Sequence, residues 1–125
     1  MLRAGPPARV ITAVGDVFAM QMYLSGLGEY VMLNRVVEYE RDRRLVWEPT
    51  PGDRVAAAEA QLPIGASQGY RWGFELVPNG PDATTVTEVF DCSAASAEIR
   101  AAVDNGRRWV ASITKTLDRL EQFFK

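Results

Sequence analysis

Glu88 is the residue whose type and setting first suggest chemistry. In Thr84-Thr85-Val86-Thr87-Glu88-Val89-Phe90-Asp91 the side chains alternate as on a strand. Val86, Glu88 and Phe90 then share one face, and Thr85, Thr87 and Val89 take the other. A carboxylate between two apolar side chains on an inward face must pair with an arginine, sit near solvent at a rim, or lose its charge. The first two outcomes are structural and are the default. The third makes it a polar anchor for a ligand, or a general acid/base with a raised pKa. Glu88 is therefore the single candidate catalytic residue. The chain has no histidine and one cysteine, Cys92. This removes Ser-His and Cys-His nucleophile pairs, histidine metal sites and any intrachain disulfide. Cys92 has no basic neighbour in sequence to lower its pKa and reads as an inert buried thiol. No metal and no other cofactor is expected.

The elements that must position Glu88 follow from the same periodicities. In Tyr70-Arg71-Trp72-Gly73-Phe74-Glu75-Leu76 large apolar residues alternate with Arg, Gly and Glu, which places Tyr70, Trp72, Phe74 and Leu76 on one strand face. Pro78-Asn79-Gly80-Pro81-Asp82 is a turn, and 84–91 is the returning strand. Upstream, Val17 to Tyr23 reads as a mostly apolar strand, Ser25-Gly26-Leu27-Gly28 as a turn, and 29–40 as a second strand rich in β-branched and aromatic residues. Arg44 to Glu48 returns as a third, completing a hairpin. The cluster Arg41, Arg43 and Arg44, interrupted by Asp42, reads as a solvated turn. Thr50-Pro51-Gly52-Asp53 is expected to break the chain, and 54–68 reads equally as a helical turn or a poor strand. Asn34 falls on the Val36 face, and a solvent-facing position is expected for it. Met20, Met22 and Met32 form a soft apolar group.

The last third is helical. Ser96 is the expected N-cap, with Glu98 in the first turn. Ile99, Val103, Gly106, Val110, Ile113, Leu117, Leu120 and Phe124 alternate steps of four and three, which makes one apolar stripe. Asn105-Gly106 marks a kink or brief break, and the stripe stays in phase across it. A long helix over 96–124 is therefore expected to cover the sheet, in an α+β architecture with one domain over 1–125 and strands over about 14–91. On this reading Leu117 is a core residue, and its truncation to Ala should cost about 2–5 kcal/mol.

Composition narrows the partners. An apolar fraction of 47% describes a globular chain, and 14 Lys and Arg against 16 Asp and Glu offer no field for phosphate backbones. Nucleic-acid binding is not expected. No stretch has the length to span a bilayer, and Met1 to Ile11 lacks an apolar run of signal-peptide length. A cytoplasmic protein is the expectation.

From Val14 onward the order of these signals resembles the START-like superfamily, also called SRPBCC, in its polyketide cyclase/dehydrase-like branch. The resembling pieces are Val14-Gly15-Asp16-Val17-Phe18, Asn34 to Glu40 turning into Arg43 to Pro49, Tyr70 to Leu76, Thr84 to Glu88, and the final helix with Leu117-Asp118-Arg119-Leu120. The resemblance covers about nine-tenths of the chain and rests on order and spacing, not on one motif. It implies a helix-grip fold, a curved antiparallel sheet wrapped around a long C-terminal helix, with a pocket between them. It also implies an apolar ligand such as a lipid or polyketide. In such a pocket Tyr70, Trp72, Phe74, Val86, Glu88 and Phe90 would line the sheet side, and Gly106, Trp109, Val110 and Ile113 the helix side. Each aromatic among them could equally be ordinary core. One departure stands out: the strand and two short helices that usually open the family's fold are not recognisable in Met1 to Ala13. The sheet edge this would expose invites a homodimer or swapped assembly.

Three functions follow. The first is a binding protein for a hydrophobic small molecule. The second is a cyclase/dehydrase-type enzyme using Glu88 and Tyr30 or Tyr39. The third is a protein-interaction module of the kind seen in ribosome-associated toxins with this fold.

Overall fold

The computed structural model describes residues 11–124; what the sequence suggests for Met1 to Val10 lies outside them. Five strands form one antiparallel meander in the order β1-β2-β3-β4-β5: β1 Val17–Leu24, β2 Gly28–Glu40, β3 Arg44–Pro51, β4 Arg71–Pro78 and β5 Thr84–Asp91. The sheet curls strongly into a half-barrel followed by a C-terminal helical segment, an α+β architecture. Register fixes the inner face. Trp72 lies opposite both Trp47 and Phe90, Phe74 opposite both Leu45 and Glu88, and Leu76 opposite Val86. The same face continues through Val36, Asn34 and Met32 on β2 to Phe18 and Met20 on β1. Val36 and Trp47 are buried there.

β3 runs three residues beyond its expected end at Glu48, through Pro49, Thr50 and Pro51. The reason is the direction of the N–H groups. The Gly52 N–H donates to Val31 O at 2.8 Å. Side-to-side alternation then turns the nitrogens of residues 49 and 51 away from β2. β3 pairs with β4 only from Arg44 to Trp47, so the missing proline donors face no neighbouring strand. Helix α1, Arg54–Ala60, occupies the stretch that read ambiguously. Asp53 caps it, accepting from the Ala56 N–H at 2.9 Å, and its other oxygen accepts from the Val31 N–H at 2.9 Å. One carboxylate thus ties helix to sheet.

The helix expected over 96–124 breaks at Asn105-Gly106, where the sequence marks a kink, but its extent as one long element is corrected. It is divided into α2, Ala97–Ala102, a 3-10 turn over Asp104–Trp109, and α3, Val110–Phe123. Asn105 and Gly106 have φ of 52° and 91°, left-handed values that end an α-helix. The Ser96 hydroxyl caps α2 by accepting from the Ile99 N–H, and Glu98 sits in its first turn, both as expected. The apolar stripe is also corrected. Val110 and Phe124 are exposed, Ile113, Leu117 and Leu120 are half-buried, and no residue of α3 is fully buried. Against the sheet, α3 meets chiefly β5. The better-buried part of the C-terminal segment is its start, where Val103 joins Cys92 and Ala95 in a small core flanked by Tyr70, Phe90, Ile99 and Trp109.

Two substitutions test this packing by urea unfolding. Leu117→Ala should cost about 1–2 kcal/mol, below the range for full burial; a loss above 3 kcal/mol, roughly the middle of that range, would mean a covered helix. Gly73→Ala should cost about 1–3 kcal/mol, because a Cβ there would sit 2.8 Å from the Leu45 carbonyl oxygen and 2.9 Å from Val46 Cγ2. A neutral result would show that β3 and β4 do not approach this closely.

Candidate functional site

The inner face carries two linked aromatic groups. Trp72 and Phe90 are cross-strand partners with ring centroids 4.7 Å apart, and Tyr70 packs on Phe90 at 5.2 Å. Trp109 reaches this group from the 3-10 turn, 5.9 Å from Trp72 and 6.2 Å from Phe90. Its outer side carries the Arg108 guanidinium at 5.6 Å, a cation–π contact. Gly106 makes the approach possible. It holds a positive φ, and a Cβ there would lie 3.0 Å from Phe90 Cδ2, so the glycine admits the Phe90 ring. Further along the sheet, Trp47 joins Phe18 and Phe74, each at 5.7 Å.

Five of the ten residues assigned to the pocket therefore meet: Tyr70, Trp72, Phe90, Gly106 and Trp109. Phe74 belongs to the Trp47 group instead. Val86 lies farther along β5 opposite Leu76, and Ile113 is half-buried on α3. Val110 is 59% exposed and points away from any shared site.

Polar atoms on the same face are the more telling feature. Glu88 Oε1, Asn34 Nδ2 and Trp109 Nε1 are each buried without a hydrogen-bond partner. Neither structural outcome for Glu88, an arginine partner or a solvated rim, describes that oxygen. Burial pushes its carboxyl above the ordinary value of 4.5, since a desolvated carboxylate is disfavoured against its neutral acid. Asn34 corrects an expectation: it is not solvent-facing but 1% exposed. It shares the Val36 face, as the alternation has it, and that face is the inner one, with Val36 opposite Trp47 and Asn34 opposite Phe18. Tyr30 and Tyr70 are both pushed up by burial, Tyr30 further by the nearby Glu59 carboxylate. Cys92 is buried, as expected.

The outer face holds a groove that sequence reasoning missed. It has a volume of about 260 Å³ and is lined by Glu38, Arg44, Val46, Gly73, Glu75 and Val89. Arg44, expected in a solvated turn, bridges Glu38 at 3.1 Å and also pairs with Glu75. Glu75 lies 31 residues away, a partnership no local pattern signals. Two carboxylates hold the Arg44 guanidinium, and Arg71 and Asp91 also line the groove. Among the described residues no cluster of His, Cys, Asp and Glu could hold a metal, and no helix is long and apolar enough to cross a membrane.

The Glu88 environment has a pH signature. The folded protein keeps this proton to a higher pH than the unfolded chain, whose carboxyl titrates near 4.5. Its contribution to stability is therefore whole below 4.5 and falls as pH rises through the folded value. Glu88→Gln has no such titration, so it should gain stability relative to wild type as pH rises. Urea unfolding at about pH 4 and about pH 7 measures this; an equal difference at both would mean Glu88 ionises as in water. No protein-family model matches this chain, and neither a curated protein nor a solved structure shows significant similarity to it.

Proposed function

We propose that the chain is a helix-grip protein of the START-like type, and that it binds a small, largely apolar molecule between the inner sheet face and the C-terminal helical segment. One observation carries this reading: Asn34 Nδ2, Glu88 Oε1 and Trp109 Nε1 are buried and unpartnered on a face otherwise built of aromatic and aliphatic side chains. Leaving a buried polar atom unpaired costs about 1–3 kcal/mol, and three on one face are accounted for if a ligand satisfies them. Apolar walls with a few oriented polar groups are the usual make-up of a small-molecule site. The ligand then carries hydrogen-bonding groups on an apolar body.

A catalytic reading of the cyclase/dehydrase type draws on Glu88 alone. A carboxyl whose pKa is raised by burial can give a proton to a ligand oxygen. An interaction role draws on a different feature, Phe123 and Phe124 at 79% and 78% exposure on the end of α3.

Native mass spectrometry of freshly purified protein should reveal a bound mass of apolar character. Its repeated absence across expression hosts would overturn the binding reading in favour of the interaction role. With the bound molecule in hand, Trp109→Phe keeps the ring and removes the N–H. It should weaken binding roughly tenfold, the equivalent of about 1.4 kcal/mol. Glu88→Gln should alter affinity more than stability at neutral pH. Lost stability with unchanged binding would show both groups to be structural.

A further inference from the structure

We infer that the chain forms a two-fold homodimer by antiparallel pairing of β1 with β1 of a second copy, joining two half-barrels into one ten-stranded sheet. Among the described residues β1 is an edge strand, hydrogen-bonded to β2 alone. The usual protections of an edge are charges, proline, a bulge or a covering element. Its sequence, Val17-Phe18-Ala19-Met20-Gln21-Met22-Tyr23-Leu24, has no charge and no proline, and its pairing with β2 runs without a register shift. It is also exposed: Val17 is 60% and Tyr23 72% accessible, with Met22 and Leu24 beside them. The opposite edge differs. β5 carries Thr84, Thr85, Thr87, Glu88 and Asp91, and α3 lies against it.

Surface area points the same way. A folded monomer of 13.8 kDa should expose about 6,600 Å², whereas this chain exposes 9381 Å². Crediting the eleven undescribed residues with full exposure removes at most roughly 1,700 Å² of the difference. The remaining excess, roughly 1,100 Å², exceeds the roughly 800 Å² that each partner buries in a stable interface.

A second copy fits this edge because the strand complements itself. In antiparallel pairing, directly opposed residues share a face. A register centred on Met20 sets Val17 against Tyr23, Phe18 against Met22 and Ala19 against Gln21. Every pair is apolar or neutral, so no like charges meet across the axis. The symmetry is closed, and the assembly ends at two copies. The dimer does not depend on the ligand reading.

Sedimentation velocity on the purified chain tests it. Wild type should sediment at twice 13.8 kDa. Val17→Lys with Tyr23→Lys places lysines opposite each other in both halves of the junction and should give a monomer with an unchanged far-UV spectrum. Val17→Lys with Tyr23→Glu changes the same exposed positions but sets opposite charges face to face, and should restore the dimer. A wild-type monomer, or a dimer that survives the double-lysine change, would overturn the proposal. A monomeric Lys/Glu variant would overturn the Met20-centred register.

Discussion

The docking of Trp109 against Trp72 and Phe90 sets how the C-terminal third meets the sheet. It requires the chain to leave α2, turn sharply and re-enter helix with the indole facing inward. Left-handed φ values at Asn105 and Gly106 provide the turn, and the missing side chain of Gly106 provides room for Phe90. An uninterrupted helix would carry Trp109 past the sheet on a different azimuth, because 3.6 residues per turn leave no freedom to re-aim one side chain. Continuity of the helix is given up for the position of one ring system.

That arrangement also explains why the inner face holds polar atoms without partners. Trp109 brings its indole N–H into the buried region but no acceptor for it. Glu88 is two residues from Phe90 on the same face, with an aromatic cross-strand neighbour in Phe74 and no basic side chain paired to it. Asn34 lies on the same inner face, toward β1, with Phe18 as its cross-strand neighbour. A purely structural core would be more stable with apolar residues of similar volume at these places. Their retention separates this face from ordinary packing and gives the ligand reading its physical content.

Where two faces differ in composition, alternation located them correctly. Arg71 and Glu75 against Trp72 and Phe74 leave one inward choice for β4, and β5 inherits its own through the turn at Asn79-Gly80. β2 lacked that contrast, since both of its faces are apolar; alternation put Asn34 with Val36 correctly but did not say that this face is the inner one. Pro51 read as a breaker because composition does not say which way a nitrogen points; turned away from β2, it interrupts no strand pairing. The apolar stripe from Ile99 to Phe124 was a true pattern with a wrong inference attached. Hydrophobic spacing is blind to φ, so steps of three and four persisted across a left-handed turn. Ser96 was legible because an N-cap is a local interaction, and the Arg44–Glu75 pair was not, because it depends on strand pairing.

The meander order has a bearing on motion. Every strand neighbours its predecessor in sequence, and three of the four connections are short turns with small loop-closure entropy, the fourth running from β3 to β4 through α1. The C-terminal segment contributes no strand to it. It is attached by one aromatic cluster, a small core around Val103 and an edge contact along β5. Amide hydrogens of α3 should exchange through an opening that leaves the strand ladders intact, while those of β2 and β3 report on global unfolding. The strand ladders can therefore persist while the helical segment opens from its attachment and returns.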